Sequence, residues 1–315
     1  MPLFGRGQLS LTRDHALLAA SGAALMLTQY VAVREIGSTF FSTELVTLIA
    51  VATTLVGPSI AYATLHRLRP ATLAVWGTLS VLVHFSLPFG LRALVGTLAG
   101  LGFEAEALGA TTLVGVFFLC GFYAVFLPSR IKAPLALPAY YAAELLGALV
   151  GLLVLILSPS WRVSLAVYFA VAVLVVHLGV ARPALTGALA VVAATVIALY
   201  PRLDAWAARV YLAGYWGLED PHTVHTVYSP YQRIDVVDEH GDPRERSLFL
   251  DGVPFYRAGD LNAFNTFLAR VPGSLGARRG AALVVGSGSL SSAAHLFRLG
   301  YDVTVVELDG AVLQT

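Results

Sequence analysis

Charge is what this sequence has least of. Of its 315 residues 12% are charged and 57% are hydrophobic, where an ordinary soluble domain carries about a quarter charged residues. That balance excludes a typical soluble domain and points to a membrane protein. A formal net charge of +1 leaves no broad basic field, which argues against nucleic acid as a partner. Cysteine is scarcer still: Cys120 is alone, so a disulfide framework and a Cys-rich metal site are both excluded, and the redox compartment cannot be read. The opening stretch MPLFGRGQLSLTRDH has no short apolar core followed by a small-residue cleavage site, so no cleaved signal peptide is expected.

What the sequence has is long apolar runs. A membrane helix needs about 20 mainly apolar residues, because hydrocarbon cannot satisfy backbone polar groups. Seven stretches qualify: 15–33, 44–65, 71–90, 108–127, 138–157, 161–180 and 183–200. Pro70, Pro128, Pro138, Pro159, Pro183 and Pro201 lie at or near their ends, where a missing N–H costs least. The segment 91–107, LRALVGTLAGLGFEAEA, is too interrupted for an eighth span and reads as interfacial or re-entrant. The expected fold is therefore a polytopic α-helical membrane bundle over 1–200.

Beyond Pro201 the composition shifts. Residues 201–227 are amphipathic and aromatic and read as a linker, an interfacial helix joining membrane to tail. Residues 228–271 read as a β-meander plus a helix: YQRIDVVDE, RSLFLDG and VPFYRAG alternate as strands, with an Asp-Gly turn, and DLNAFNTFLAR has helical spacing. Residues 272–315 supply a strand, a glycine turn, a helical stretch and a second parallel strand ending on ELD. That reads as the start of a Rossmann-like α/β domain, which the family resemblance given below implies to be of the S-adenosylmethionine-dependent methyltransferase type. A two-stranded parallel sheet leaves an unpaired edge, so another protein chain or subunit, or residues missing from this sequence, is expected against VVELD.

The ordered series SPYQRIDVVDE, LFLDGVPFYRAGD, FLARVP and ALVVGSGS…VVELD resembles the spermidine synthases, in the form fused to a membrane domain. TQYVAVREIGSTFFSTEL and YYAAELLGALVGLL resemble two membrane segments of the fused members. The resemblance implies aminopropyl transfer from decarboxylated S-adenosylmethionine to a polyamine. In that chemistry the protein positions two cations, keeps the attacking amine neutral and excludes water. It also implies a nucleoside half-site: Gln232 on the nucleoside, Gly286 and Gly288 in the nucleotide turn, and Glu307 on both ribose hydroxyls.

The other half of that site departs from the family. Where the family has Gly-Gly-Gly-Asp-Gly-Gly, this chain has Gly286 to Ser291 with Ser289 at the aspartate. Phe255 replaces the glutamine after LDG. Asp260 and Leu261, then Phe264, Asn265 and Thr266, stand where Asp-Glu and Tyr-His-Glu would be. The family's adenine-contacting acidic motif and catalytic aspartate would fall past Thr315. No catalytic residue is assigned.

Other features carry weaker readings. His222 and His225 have a chelating spacing but no third ligand, and loop histidines are the simpler reading. His84 and His177 lie within spans, where packing is the default and haem ligation the alternative. Glu144 in the fifth span either pairs, with Arg34 as partner, or is an interfacial charge, or belongs to a proton or polyamine path. Gly147, Ala148 and Gly151 read as a helix-packing seam. The arginine distribution in a seven-span arrangement puts the N-terminus in the cytoplasm and the tail across the membrane, which conflicts with a cytosolic substrate pool. The expectation is a multi-pass inner-membrane, spermidine synthase-like protein acting as an accessory subunit, its partners the lipid bilayer and another chain. The alternatives are an active membrane aminopropyltransferase of which this chain is a fragment, and a small-molecule transporter.

Overall fold

A computed structural model describes residues 13–40, 44–64, 67–126, 131, 137–257, 263–275, 280–286 and 290–314. Seven helices come first: α1 Arg13–Phe40, α2 Glu44–Thr64, α3 Pro70–Gly100, α4 Glu104–Phe126, α5 Leu137–Leu157, α6 Trp161–Val180 and α7 Pro183–Trp216. Then follow β1 Pro221–Tyr228, β2 Arg233–Glu239, β3 Arg246–Leu250, β4 Val253–Arg257, α8 Ala263–Leu275, β5 Ala281–Val285, α9 Ser291–Arg298 and β6 Asp302–Val306. Among the described residues six helices, all of the seven but α2, are long and apolar enough to cross a membrane. The chain divides into two compact units.

The first unit holds α1 to Glu35, α2, α3 to Leu91, α4 to α6, and α7 to Asp204. Small residues set its helix spacing. A Cβ on Gly22 would run into the Glu144 carbonyl, and one on Gly147 into the Ala19 carbonyl, so α1 and α5 touch backbone to backbone. This is the seam read from Gly147, Ala148 and Gly151. A second close approach joins α2 and α4, where the Cys120 Sγ donates to the Gly57 carbonyl at 3.0 Å. Between the last two helices of this unit the Trp161 indole donates to the Tyr200 hydroxyl at 2.8 Å. Arg34 lies 4.9 Å from the Trp161 ring centroid and donates to the Tyr30 hydroxyl at 3.0 Å.

The second unit gathers Ile36–Thr43, Arg92–Glu104 and Ala205–Thr315. Here two expectations need correction. Residues 91–107 are no separate re-entrant segment: α3 continues to Gly100 and α4 starts at Glu104. The apparent interruption, Arg92, is 1% exposed and donates to the Ser38 hydroxyl at 2.8 Å. Nor does Pro201 separate the last span from the expected interfacial helix, because α7 runs through it to Trp216. Asp204, Ala207, Ala208, Tyr211 and Leu212 are all buried, the i, i+3, i+4 stripe that keeps a helix packed. A prolyl residue removes one intrahelical bond without stopping a helix that is anchored on both sides of it. At this end α3 and α7 meet at Gly96 and Gly214.

The meander has four strands in the order β1-β2-β3-β4, all antiparallel. Its first strand takes up Pro221–Tyr228, all but Tyr228 within the expected linker. The Asp-Gly turn joins β3 to β4, with φ of 48° at Asp251 and 76° at Gly252, the pair of left-handed residues a two-residue hairpin needs. Gly252 is doubly constrained, since a Cβ there would meet the Ser38 carbonyl. Ile234, Val236 and Leu248 form the core on one face, closed by Val312 from the end of the chain. Phe255 packs against that core. β2 is buried along its whole length.

β5 and β6 form a separate parallel pair, Val285 opposite Val306. The helix before them runs past residue 271 through Pro272 to Leu275. Its Gly273 carbonyl accepts from the Tyr301 hydroxyl at 2.8 Å, so α8 packs with the elements it was expected to precede.

Candidate functional site

The parallel pair decides where the expected nucleoside residues meet. β5 and β6 are paired in register up to Val285 and Val306, so the next residues, Gly286 and Glu307, emerge at the same end of the sheet. Carboxyl ends of parallel strands are where open α/β sheets bind ligands. Gly286 extends the ladder, its N–H donating to the Val306 carbonyl at 2.9 Å. It then turns out with φ of 68°, a conformation that costs a side-chain-bearing residue about 1–2 kcal/mol. A Cβ built there would meet nothing within 4 Å, so the space over Gly286 is open. Gly288, with Ser287 and Ser289, lies outside the described residues.

Gln232 reaches this end by a different route. Its Nε2 donates to Asp309 Oδ2 at 3.1 Å, and the Ser229 hydroxyl donates to the same oxygen at 2.6 Å. Ser229 also accepts from the Tyr231 and Gln232 N–H groups at 3.1 and 3.0 Å, which fixes the loop between β1 and β2. The other Asp309 oxygen accepts from the Ala311 N–H at 3.1 Å, an Asx turn starting the final helical turn Val312–Gln314. Glu307 is tied in as well, Oε1 accepting from the Asp309 N–H at 3.2 Å. The arrangement is thus a carboxylate pair at a strand end, one member buried and serving as a hub, the other half-buried. Gln232, expected to face the nucleoside, directs one amide hydrogen to Asp309.

Comparison of the chain with known families, with curated proteins and with solved structures finds no match. The site therefore has to be judged on its own chemistry. A half-buried carboxylate beside an open glycine turn suits a vicinal diol, whose two hydroxyls both donate to carboxylate oxygens. Asp309 and Ser229 were not singled out from the sequence. ELD and SPYQ each carried a local hint, an Asx-capable aspartate and a turn-forming serine, but nothing local joins residues 80 apart.

A second polar cluster lies in the meander. Arg233 and Asp235 are 0% and 5% exposed, with Nε donating to Oδ2 at 2.6 Å. Thr226 donates to Asp235 Oδ1 at 2.7 Å, and Tyr228 hydrogen-bonds Arg233 and offers its ring face at 4.9 Å. Burial pushes the Asp235 carboxyl up, but the Arg233 charge and hydrogen bond, the Arg92 charge and the Thr226 hydroxyl together pull it below the usual carboxylate range. A carboxylate so completely engaged is structural. Further along β2, Arg246 grips Asp238 at 2.8 and 3.1 Å.

Among the described residues no three His, Cys, Asp or Glu side chains are grouped to hold an ion. His222 sits on β1 with Nδ1 3.0 Å from the Asp220 carbonyl, and His177 lies 3.5 Å from the Thr186 hydroxyl.

Proposed function

We propose that the chain is a multi-pass membrane protein of spermidine synthase-like organisation, acting as an accessory subunit whose two-stranded sheet is covered by another protein segment. Six long apolar helices support membrane insertion. Along α5 the apolar side chains Leu145, Leu146, Leu149, Ile156 and Leu157 are exposed, a surface that hydrocarbon rather than water accommodates. The observation that carries the accessory role is the open sheet. Leu283 and Val285 on β5, and Val306 on β6, are more than half exposed, whereas parallel sheets normally have both faces covered. The residue types at Ser289, Phe255 and Asn265 agree, since none restores the acidic and polar groups that polyamine transfer needs.

A photo-crosslinking residue placed at Leu283 or Val306 in native membranes is expected to trap a covering segment, and the detergent-solubilised particle to exceed the mass of one chain. A single-chain particle with no crosslink at either position removes the proposal.

One observation favours a second reading, retained transferase chemistry: Gly286 and Glu307 are adjacent in register beside open space. Full-length membranes incubated with labelled decarboxylated S-adenosylmethionine and a panel of amines test it. Transfer that Glu307→Ala abolishes supports it; none above that control ends it.

A further inference from the structure

Charge in the tail is divided along the sequence. From Glu219 to Asp260 there are nine acidic residues against four arginines, whereas from Leu261 to Tyr301 there are Arg270, Arg278, Arg279 and Arg298 and no acidic residue. The near-neutral total hides a basic segment, and that segment contains α8 and α9.

One face of α8 is occupied. Ala269 is buried, and a Cβ on Gly273 would press against Leu296 and Leu299. The other face is bare. Phe267, Leu268, Val271, Pro272 and Leu275 are all exposed, Phe267 at 66% and Leu275 at 80%. Their spacing of i, i+1, i+4, i+5 and i+8 makes one continuous apolar stripe on a helix. Arg270 and Ser274, also exposed, border it by the same helical spacing. On α9 the pattern recurs in small, with an exposed Phe297 next to an exposed Arg298.

The charges choose the occupant. A helix with Phe and Leu on one face and arginine at its edge suits the boundary between lipid headgroups and acyl chains. There an arginine lays its carbon stem along apolar surface and turns its guanidinium to a phosphate, which it can grip with two hydrogen bonds. Arg278 and Arg279 follow α8 within four residues of Leu275, and the segment has no carboxylate to repel an anionic headgroup. The acidic stretch from Glu219 to Asp260 would be repelled by the same surface. An anionic bilayer thus attracts one part of the tail and turns the other away.

We propose that α8, with the arginines that follow it, docks on the surface of an anionic phospholipid bilayer, its apolar stripe below the headgroups and Arg270 among the phosphates. This rests on the membrane insertion proposed above, which tethers the tail to a bilayer and gives weak surface contacts a high effective concentration.

Spin labels on the full-length protein in nanodiscs test the docking. The background is Cys120→Ser, whose hydroxyl keeps a donor for the Gly57 carbonyl. Labels go on Leu275→Cys, on Arg244→Cys in the acidic stretch, and on Val191→Cys, exposed on α7. Collision with oxygen reports hydrocarbon, and collision with a water-soluble nickel complex reports water. In phosphatidylcholine containing phosphatidylglycerol the Leu275 label is expected to meet oxygen and be shielded from nickel; in phosphatidylcholine alone it returns to nickel. The Arg244 label should stay with nickel in both. Arg270→Gln should lower the docked-to-undocked ratio about fivefold. Nickel exposure at Leu275 in both lipids, or equal oxygen exposure in both, overturns the proposal. So does shielding from both reagents, which marks a protein partner or a second copy on the stripe. Any of these with the Val191 label still in hydrocarbon leaves membrane insertion standing; nickel exposure at Val191 removes insertion itself, and the docking with it.

Discussion

Asp235→Asn is expected to destabilise the tail by about 3–5 kcal/mol, the range for removing one member of a buried pair. The substitution keeps the shape and can still accept the Thr226 hydroxyl, now 2.7 Å from Oδ1. It puts an NH2 group where Oδ2 accepts the Arg233 Nε–H at 2.6 Å, donor against donor. It also leaves Arg233, fully buried, without its carboxylate, while the Arg92 charge still acts on the same point. The loss should appear as a lower thermal midpoint of the tail, followed through Trp216, whose ring lies 6.3 Å from Phe249. Asp235→Leu with Arg233→Met should recover much of it, since an apolar pair carries no desolvation penalty. If Asp235→Asn alone unfolds at the wild-type midpoint, the cluster is not holding the meander.

The pH dependence follows from the same carboxylate. Its folded value is depressed, so its contribution is fully present above the unfolded value of about 3.9. That contribution is lost as pH falls through the lower folded value. Wild type should therefore lose stability on acidification below about pH 3.9, and Asp235→Asn should lack this component.

How much of this was legible depends on how far apart the interacting residues are. The apolar helices follow from run length alone, because a bilayer imposes it. The Asp-Gly hairpin and the strand-turn-helix-strand pattern that puts Gly286 beside Glu307 are local, and they were read correctly as elements. Arg92 looked like a break in an apolar run because its partner Ser38 is 54 residues away. Pro201 looked like an end because the stripe from Asp204 to Leu212 gains its meaning only when it is packed. The local pattern around Gln232 could not show its bond to Asp309, 77 residues distant. In each case the local pattern was silent on the partner, which only packing supplies.

Gly147→Leu is expected to disrupt the helical unit more than any other single change in it, by about 3 kcal/mol or more, at or beyond the top of the usual overpacking range. The reason is what the new side chain would meet. At Gly147 even the first added carbon lands on the Ala19 carbonyl, which is helix backbone and cannot rotate aside. The whole of α1 must move off α5, which also opens the contacts at Gly22 and Gly151. Apolar helices gain little from a hydrophobic drive between them in lipid, so close backbone packing carries the association. Gly187→Leu is the control: it lies on α7, is exposed, and a Cβ there meets nothing within 4 Å. Leucine favours helix over glycine by up to about 1 kcal/mol, so that variant should unfold at or slightly above wild type. Unfolding midpoints in a dodecyl sulfate titration, read by helical circular dichroism, separate the two. Equal midpoints for Gly147→Leu and Gly187→Leu would mean that α1 and α5 are not in backbone contact.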